Sequence, residues 1–172
     1  MPVEIHPIIE DYINLSLICL LRDKRIKFNQ KLQMFSLPLI AVLLVVLPRN
    51  INYTHLLVAI LLSVIWIVIS PIIFKKNLYL KLKKEFKSNF SQKYLEPYIL
   101  DKYDKGLVAK KNNEIFKVDY ELLDLYYPSD DAIYIIGEGF DFIIPKRDFK
   151  SDDEYNRVKD FIDFQIQVSM RK

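Results

Sequence analysis

The chain has 172 residues, 51% of them hydrophobic and 27% charged, with a formal net charge of +3. So small a charge, with no continuous basic arm, argues against a nucleic-acid surface. The single Cys19 excludes an intramolecular disulfide. Glu4, Glu10 and Asp11 precede any basic cluster, which is not the order expected of a secretory signal peptide.

The averages hide a segregation, because charge nearly vanishes between residues 32 and 74. In the segment before it, residues 1–31, Ile9, Tyr12, Ile13, Leu17, Leu20 and Leu21 recur at three- and four-residue spacing. That spacing predicts an amphipathic helix over residues 7–31. Arg22, Asp23, Lys24, Arg25, Lys27 and Lys31 close it. The same stripe suits a helix lying among lipid headgroups and a helix packed on the rest of the protein.

Residues 32–74 predict a transmembrane hairpin with spans at 32–48 and 56–74. The first contains Phe35, Leu37, Leu39, Ile40 and the run Val42–Leu47, with Pro38 as a tolerated kink. The second, Leu56–Phe74, is richer in Leu, Ile and Val and holds Trp66. Two helices apolar on every side have too little other protein around them in so short a chain to be a soluble core. The connection, Pro48 to His55, is short enough to force an antiparallel pair, and Arg49 is its only fully charged residue. The outer flanks carry Arg22, Lys24, Arg25, Lys27 and Lys31 on one side. They carry Lys75, Lys76, Lys81, Lys83, Lys84 and Lys87 on the other. The positive-inside rule then expects both termini in the cytoplasm, at the inner or plasma membrane of a cell.

Residues 75–94 predict a juxtamembrane helix, with Leu78, Leu80, Leu82, Phe86 and Phe90 as its apolar positions. After Pro97 the pattern changes to short strands. They are expected at Tyr98–Asp101, Gly106–Lys110, Glu114–Val118, Leu122–Tyr127, Ala132–Ile136 and Phe140–Ile144. Lys111-Asn112-Asn113, Pro128-Ser129-Asp130-Asp131 and Gly137-Glu138-Gly139 punctuate them, which suits an antiparallel meander. Ser151-Asp152-Asp153-Glu154 then reads as a capping box, with Tyr155, Val158, Ile162 and Ile166 as the inner stripe of a C-terminal helix. Arg171 and Lys172 complement its end. The fold class is thus a membrane helical hairpin plus an α+β domain over residues 95–172.

Phe142-Ile143-Ile144-Pro145-Lys146-Arg147-Asp148-Phe149, followed by the Ser151–Glu154 opening, resembles the YcxB-like family of small bacterial membrane proteins. Asp11-Tyr12 is similar to an acidic-aromatic pair that many members carry before the first span. Val118 or Tyr120 stands where many members have tryptophan, and Asp148 where many have a small residue. The resemblance implies two spans and a small pleckstrin-homology-like partial barrel capped by a helix. It implies no enzymatic activity.

Lys146 and Arg147 are the most pointed local feature. Arginine's fork suits a lipid phosphate or a partner carboxylate, and equally an internal pair with Asp148 or Asp152. Lys75 and Lys76 are candidate contacts with anionic lipid, besides their part in topology. Asp119, Glu121, Asp124, Asp130 and Asp131 lack the spacing of a calcium loop. His6 and His55 are expected on opposite sides of the membrane, which rules out a shared metal. Gly137-Glu138-Gly139 lacks the strand-to-helix setting of a phosphate loop. Cys19 reads as a buried thiol. No catalytic residues, metal or cofactor are therefore expected, and no nucleic acid. The bilayer is the expected partner, with a protein or an anionic lipid docking at the cytoplasmic face. Protection of the membrane against a toxin or bacteriocin is the alternative.

Overall fold

A computed structural model describes residues 2–47, 53–89, 91–137 and 140–169. Of the connection expected at 48–55, residues 48–52 lie outside the described residues, as do Phe90 of the expected juxtamembrane helix, the turn residues 138–139 and the basic C-terminus at 170–172; residues 53–55 are helical. The chain divides into two compact units. One is Ser16–Ser88, and the other joins Met1–Leu15 to Asn89–Lys172.

The first unit is helical. α1 runs Ile9–Arg22, α2 Lys24–Val46 and α3 Tyr53–Asn89. The first half of α1, up to Leu15, belongs to the second unit. The helix expected over 7–31 is broken at Asp23, whose extended backbone (φ −60°, ψ 130°) and carboxylate accepting from the Arg25 N–H at 2.6 Å make it the N-cap of α2. A side chain this short gains more by capping than by sitting inside a helix. Lys24–Lys31 therefore belongs to α2, the helix of the first expected span. The second span and the juxtamembrane helix expected over 75–94 are likewise one helix, α3, because no Gly or Pro interrupts the Leu- and Lys-rich stretch after Pro71; it ends at Asn89, and Gln92–Leu95 is a separate 3-10 turn.

At about 1.5 Å per residue, α2 is roughly 34 Å long and α3 roughly 55 Å, against a ~30 Å hydrocarbon core. Both are long and apolar enough to cross a membrane. Their apolar side chains are turned outward: Leu39, Leu44, Leu57, Leu62, Val68 and Ile72 are all more than half exposed. Apolar surface on this scale has no favourable partner in water and a natural one in lipid. Ser63 donates to the carbonyl of Ala59 at 2.7 Å, and Trp66 Nε1 to that of Gln33 at 3.3 Å.

Seven strands build the second unit. β1 (Val3–Ile5), β2 (Tyr98–Tyr103), β3 (Gly106–Lys111) and β4 (Glu114–Asp119) form one antiparallel sheet in that order. β5 (Leu123–Pro128), β6 (Ala132–Gly137) and β7 (Phe140–Pro145) form a second. The six strands expected after Pro97 are present, each within a residue or two of its expected bounds. The single meander is corrected to two sheets, because the 3-10 turn Tyr120–Leu122 leads the chain out of the first after β4. The seventh strand comes from the N-terminus: Val3, Glu4 and Ile5 pair with Leu100, Ile99 and Tyr98. A three-residue strand is too short to show a period.

Asn112 and Asn113, at φ 44° and 67°, make the β3–β4 turn, as expected of a two-residue hairpin loop. Helix α4 (Asp152–Ser169) closes the unit with Tyr155, Val158, Ile162 and Ile166 buried. Ser151 Oγ accepts from the Glu154 N–H at 3.2 Å, and Glu154 reaches back to the Lys150 N–H at 3.1 Å, one residue earlier than a standard capping box. The core joins α4 to both sheets through Ile5, Leu100, Ala109, Val118, Ile133, Ile135, Phe142 and Ile144. Tyr98 fastens the sheets to one another. Its hydroxyl donates to the Ile143 carbonyl at 2.6 Å and accepts from the Ile143 N–H at 3.0 Å. One side chain thereby satisfies both backbone groups that β7 presents away from β6 at this position. At Gly137 the backbone approaches Val118 so closely that a Cβ would collide with its side chain.

Candidate functional site

Lys146 and Arg147 lie in a 3-10 turn between β7 and α4. Lys146 pairs with Asp152 at 2.8 Å, one of the partners its position suggested. This pair is open to solvent, and Asp152 holds the Lys146 ammonium above its usual range. Arg147 turns to a partner far away in sequence. Its Nη1 donates to Asp11 Oδ1 at 3.0 Å and its Nη2 to Asp11 Oδ2 at 2.5 Å, a two-pronged pairing. Nη2 also donates to the His6 carbonyl at 3.0 Å. The Asp11 side chain is 6% exposed and that of Arg147 41%. Hydrogen bonding to Asp11 raises the Arg147 guanidinium further above its already high range.

Asp11 does two things at once. As the third residue of α1, it accepts the Ile8 N–H at 2.8 Å and so caps the helix that it also ties to Arg147. Asp148 completes the junction by accepting the His6 N–H at 2.8 Å. Asp148 thereby holds the turn between β1 and α1. The basic pair is therefore a latch between the two ends of the chain. Arg147 is committed to Asp11 and Lys146 to Asp152. Lys75 and Lys76 belong to the other unit, exposed on α3.

Tyr12, next to Asp11, fastens the same N-terminal segment elsewhere. Its hydroxyl donates to the Tyr94 carbonyl at 2.9 Å, and the two rings meet edge to face at 5.9 Å. Burial raises the Tyr12 phenol to about 12, with Asp141 the next contributor. These residues border an open groove of about 660 Å³, lined by Tyr12, Ser91, Tyr94, Lys111, Glu114, Phe116, Gly137, Phe140 and Asp141. Phe116 and Phe140 stack across β4 and β7 at 4.5 Å. Asp141 is exposed at the groove; partial desolvation alone pushes its carboxyl up, and no cation partners it among the described residues. Lys111 meets Glu96 at 3.6 Å. A second, smaller cavity of about 180 Å³ lies between α4 and the first sheet, lined mainly by Val3, Leu100, Leu107, Val158, Phe161 and Ile162.

Sequence reasoning missed the groove, because its walls come from α1, the 3-10 turn at Gln92–Leu95, β3, β4, β6 and β7. Asp11-Tyr12 was its only advance signal. Among the described residues, no group of three or more His, Cys, Asp or Glu side chains is placed to hold a metal ion.

An apolar helical unit of membrane-spanning length and a compact α+β unit built from both ends of the chain define the class. Within the second unit, residues 102–162 match the family model described as YcxB-like protein, so the chain carries a YcxB-like segment. The matched stretch runs from β2 into α4 and contains Lys146 and Arg147, while β1, Asp11 and Tyr12 lie outside it. No curated protein and no solved structure matches the chain.

Proposed function

We propose that the protein is a non-catalytic, membrane-anchored binding module whose α+β unit faces the cytoplasm and engages its ligand through the aromatic groove. The observation that carries this reading is the pairing of β1 with β2. Residues 3–5 and 98–100 must share one side of any membrane, so the chain between them crosses an even number of times. Two crossings by α2 and α3 satisfy that condition, and the basic residues beside them favour the cytoplasm for the shared side. The strand arrangement with a C-terminal helix supports a pleckstrin-homology-like reading of this unit.

The exposed ammonium groups of Lys75 and Lys76 favour an anionic leaflet by about 1 kcal/mol each near its surface. Lys146 and Arg147 have a structural role in this account. Ligand binding falls to the groove, whose volume of about 660 Å³ is in the size range of small-molecule sites. The groove holds no nucleophile-and-base pair among its described residues, which favours binding over turnover.

Photocrosslinking in living cells tests the reading. A photoreactive residue replacing Tyr94, which is 56% exposed at the groove, should give reproducible adducts. The same residue replacing Glu121, exposed on a different turn, should not. Equal or absent adducts at the two positions would contradict the assignment.

A further inference from the structure

The groove has a definite chemical character, which deepens the binding-module reading and rests on it. Four aromatic rings line it, from Tyr12, Tyr94, Phe116 and Phe140. Two carboxylates, Asp141 and Glu114, share it with one ammonium, Lys111, which already faces Glu96. The balance of charge is negative, and Asp141 has no cation of its own among the described residues. Aromatic rings present a negative face, and a cation resting on one gains ~0.5–2 kcal/mol, more as water is removed. An anion would meet Asp141, Glu114 and the negative ring faces together. A neutral apolar ligand would cover part of the exposed Asp141 carboxylate with nothing to offset its charge.

We propose that the groove binds a small organic ammonium cation, with its alkyl groups against the aromatic rings and its charge facing Asp141. The shared chemistry is an alkylated ammonium head, carried by a free solute or by a zwitterionic lipid.

Calorimetric titration of the full-length protein in a maltoside detergent, at fixed ionic strength, provides the test with choline as the probe. Choline should bind saturably. Its neutral isostere, 3,3-dimethyl-1-butanol, should bind at least tenfold more weakly. Asp141→Asn should weaken choline at least tenfold. Tyr94→Ala, at an exposed position that threatens the fold least, should weaken it about threefold. Lys146→Ala, at the separate basic corner, should leave it unchanged. The proposal is overturned if choline shows no saturable binding, if the neutral isostere binds equally well, or if Asp141→Asn binds like the unaltered protein in a sample that retains its melting temperature. Repeating the titration in phosphatidylcholine and phosphatidylglycerol nanodiscs separates the sources. Weaker apparent choline binding in the first lipid alone identifies the headgroup as occupant, and equal binding identifies a free solute. Failed choline binding with persistent crosslinks at position 94 would sink this inference and leave the binding-module reading standing.

Discussion

Replacing Arg147 with alanine removes both nitrogens that meet Asp11 and the donor to the His6 carbonyl. The Asp11 carboxylate stays behind in a buried position, with the Ile8 N–H still bonded to it. Stranding one half of a fully buried ion pair costs ~3–5 kcal/mol. Here Arg147 keeps 41% of its side-chain surface, so solvent already screens part of the attraction, and about 2 kcal/mol is the expected loss. That loss is about a 30-fold change in an opening equilibrium. Hydrogen exchange read by mass spectrometry on the full chain in detergent measures it locally. Protection of β1 and of the first turn of α1 should fall by that factor, and that of α2 should not change. Asp11→Asn should give a comparable loss, and the double substitution should cost much less than the sum. Lys146→Ala, whose pair with Asp152 is solvent-exposed, should leave protection unaltered. Equal effects from Lys146→Ala and Arg147→Ala, or a change under threefold for Arg147→Ala, would refute the latch.

Tyr98→Phe should cost about 2 kcal/mol by leaving the Ile143 N–H and carbonyl without the hydroxyl that serves both, measurable in the same exchange experiment at β7. Ile162→Ala, at a position with no exposed surface, should cost ~2–5 kcal/mol, and an effect under half a kcal/mol would mean that α4 does not pack as described. A fragment of residues 92–172 should give poorly dispersed NMR spectra, since it lacks β1 and Asp11, and a peptide of residues 2–15 added in trans should restore dispersion. Alkali should unfold the α+β unit: burial raises the Tyr120 and Tyr155 phenols to about 12 and Tyr98 higher still. An acid whose folded pKa lies above its unfolded value stabilises the fold fully below the unfolded pKa of ~10 and loses that contribution as pH rises towards the folded one. For three such tyrosines the slope is about 4 kcal/mol per pH unit above pH 10, visible by circular dichroism.

Periodicity and punctuation made much of this architecture legible. Leu56–Phe74 is apolar on every side, and the alternation in Tyr98–Ile144 is cut by Asn-Asn and Pro-Ser-Asp-Asp turns, so spans and strands stand out. What stayed hidden depends on contacts between distant residues. Val3–Ile5 becomes a strand only because β2 offers it an edge. Asp23 looks like one charge among several until its backbone leaves the helix. Lys146-Arg147 stood out by composition as a candidate surface contact, yet composition cannot show that Asp11, far upstream, occupies the arginine's fork. The groove was the least legible feature, since its walls come from six separate elements and no local motif marks them.

The central claim is that both ends of the chain build one domain on one side of a membrane that α2 and α3 cross. Single cysteines at Glu4, Asn52 and Ser151, introduced with Cys19→Ser, test it most directly through labelling of intact cells with a membrane-impermeant maleimide. The account expects labelling at position 52 alone, with positions 4 and 151 reacting only after the cells are opened. Labelling of position 4 without 151, or of 151 without 4, in intact cells would place the two ends on opposite sides and contradict it.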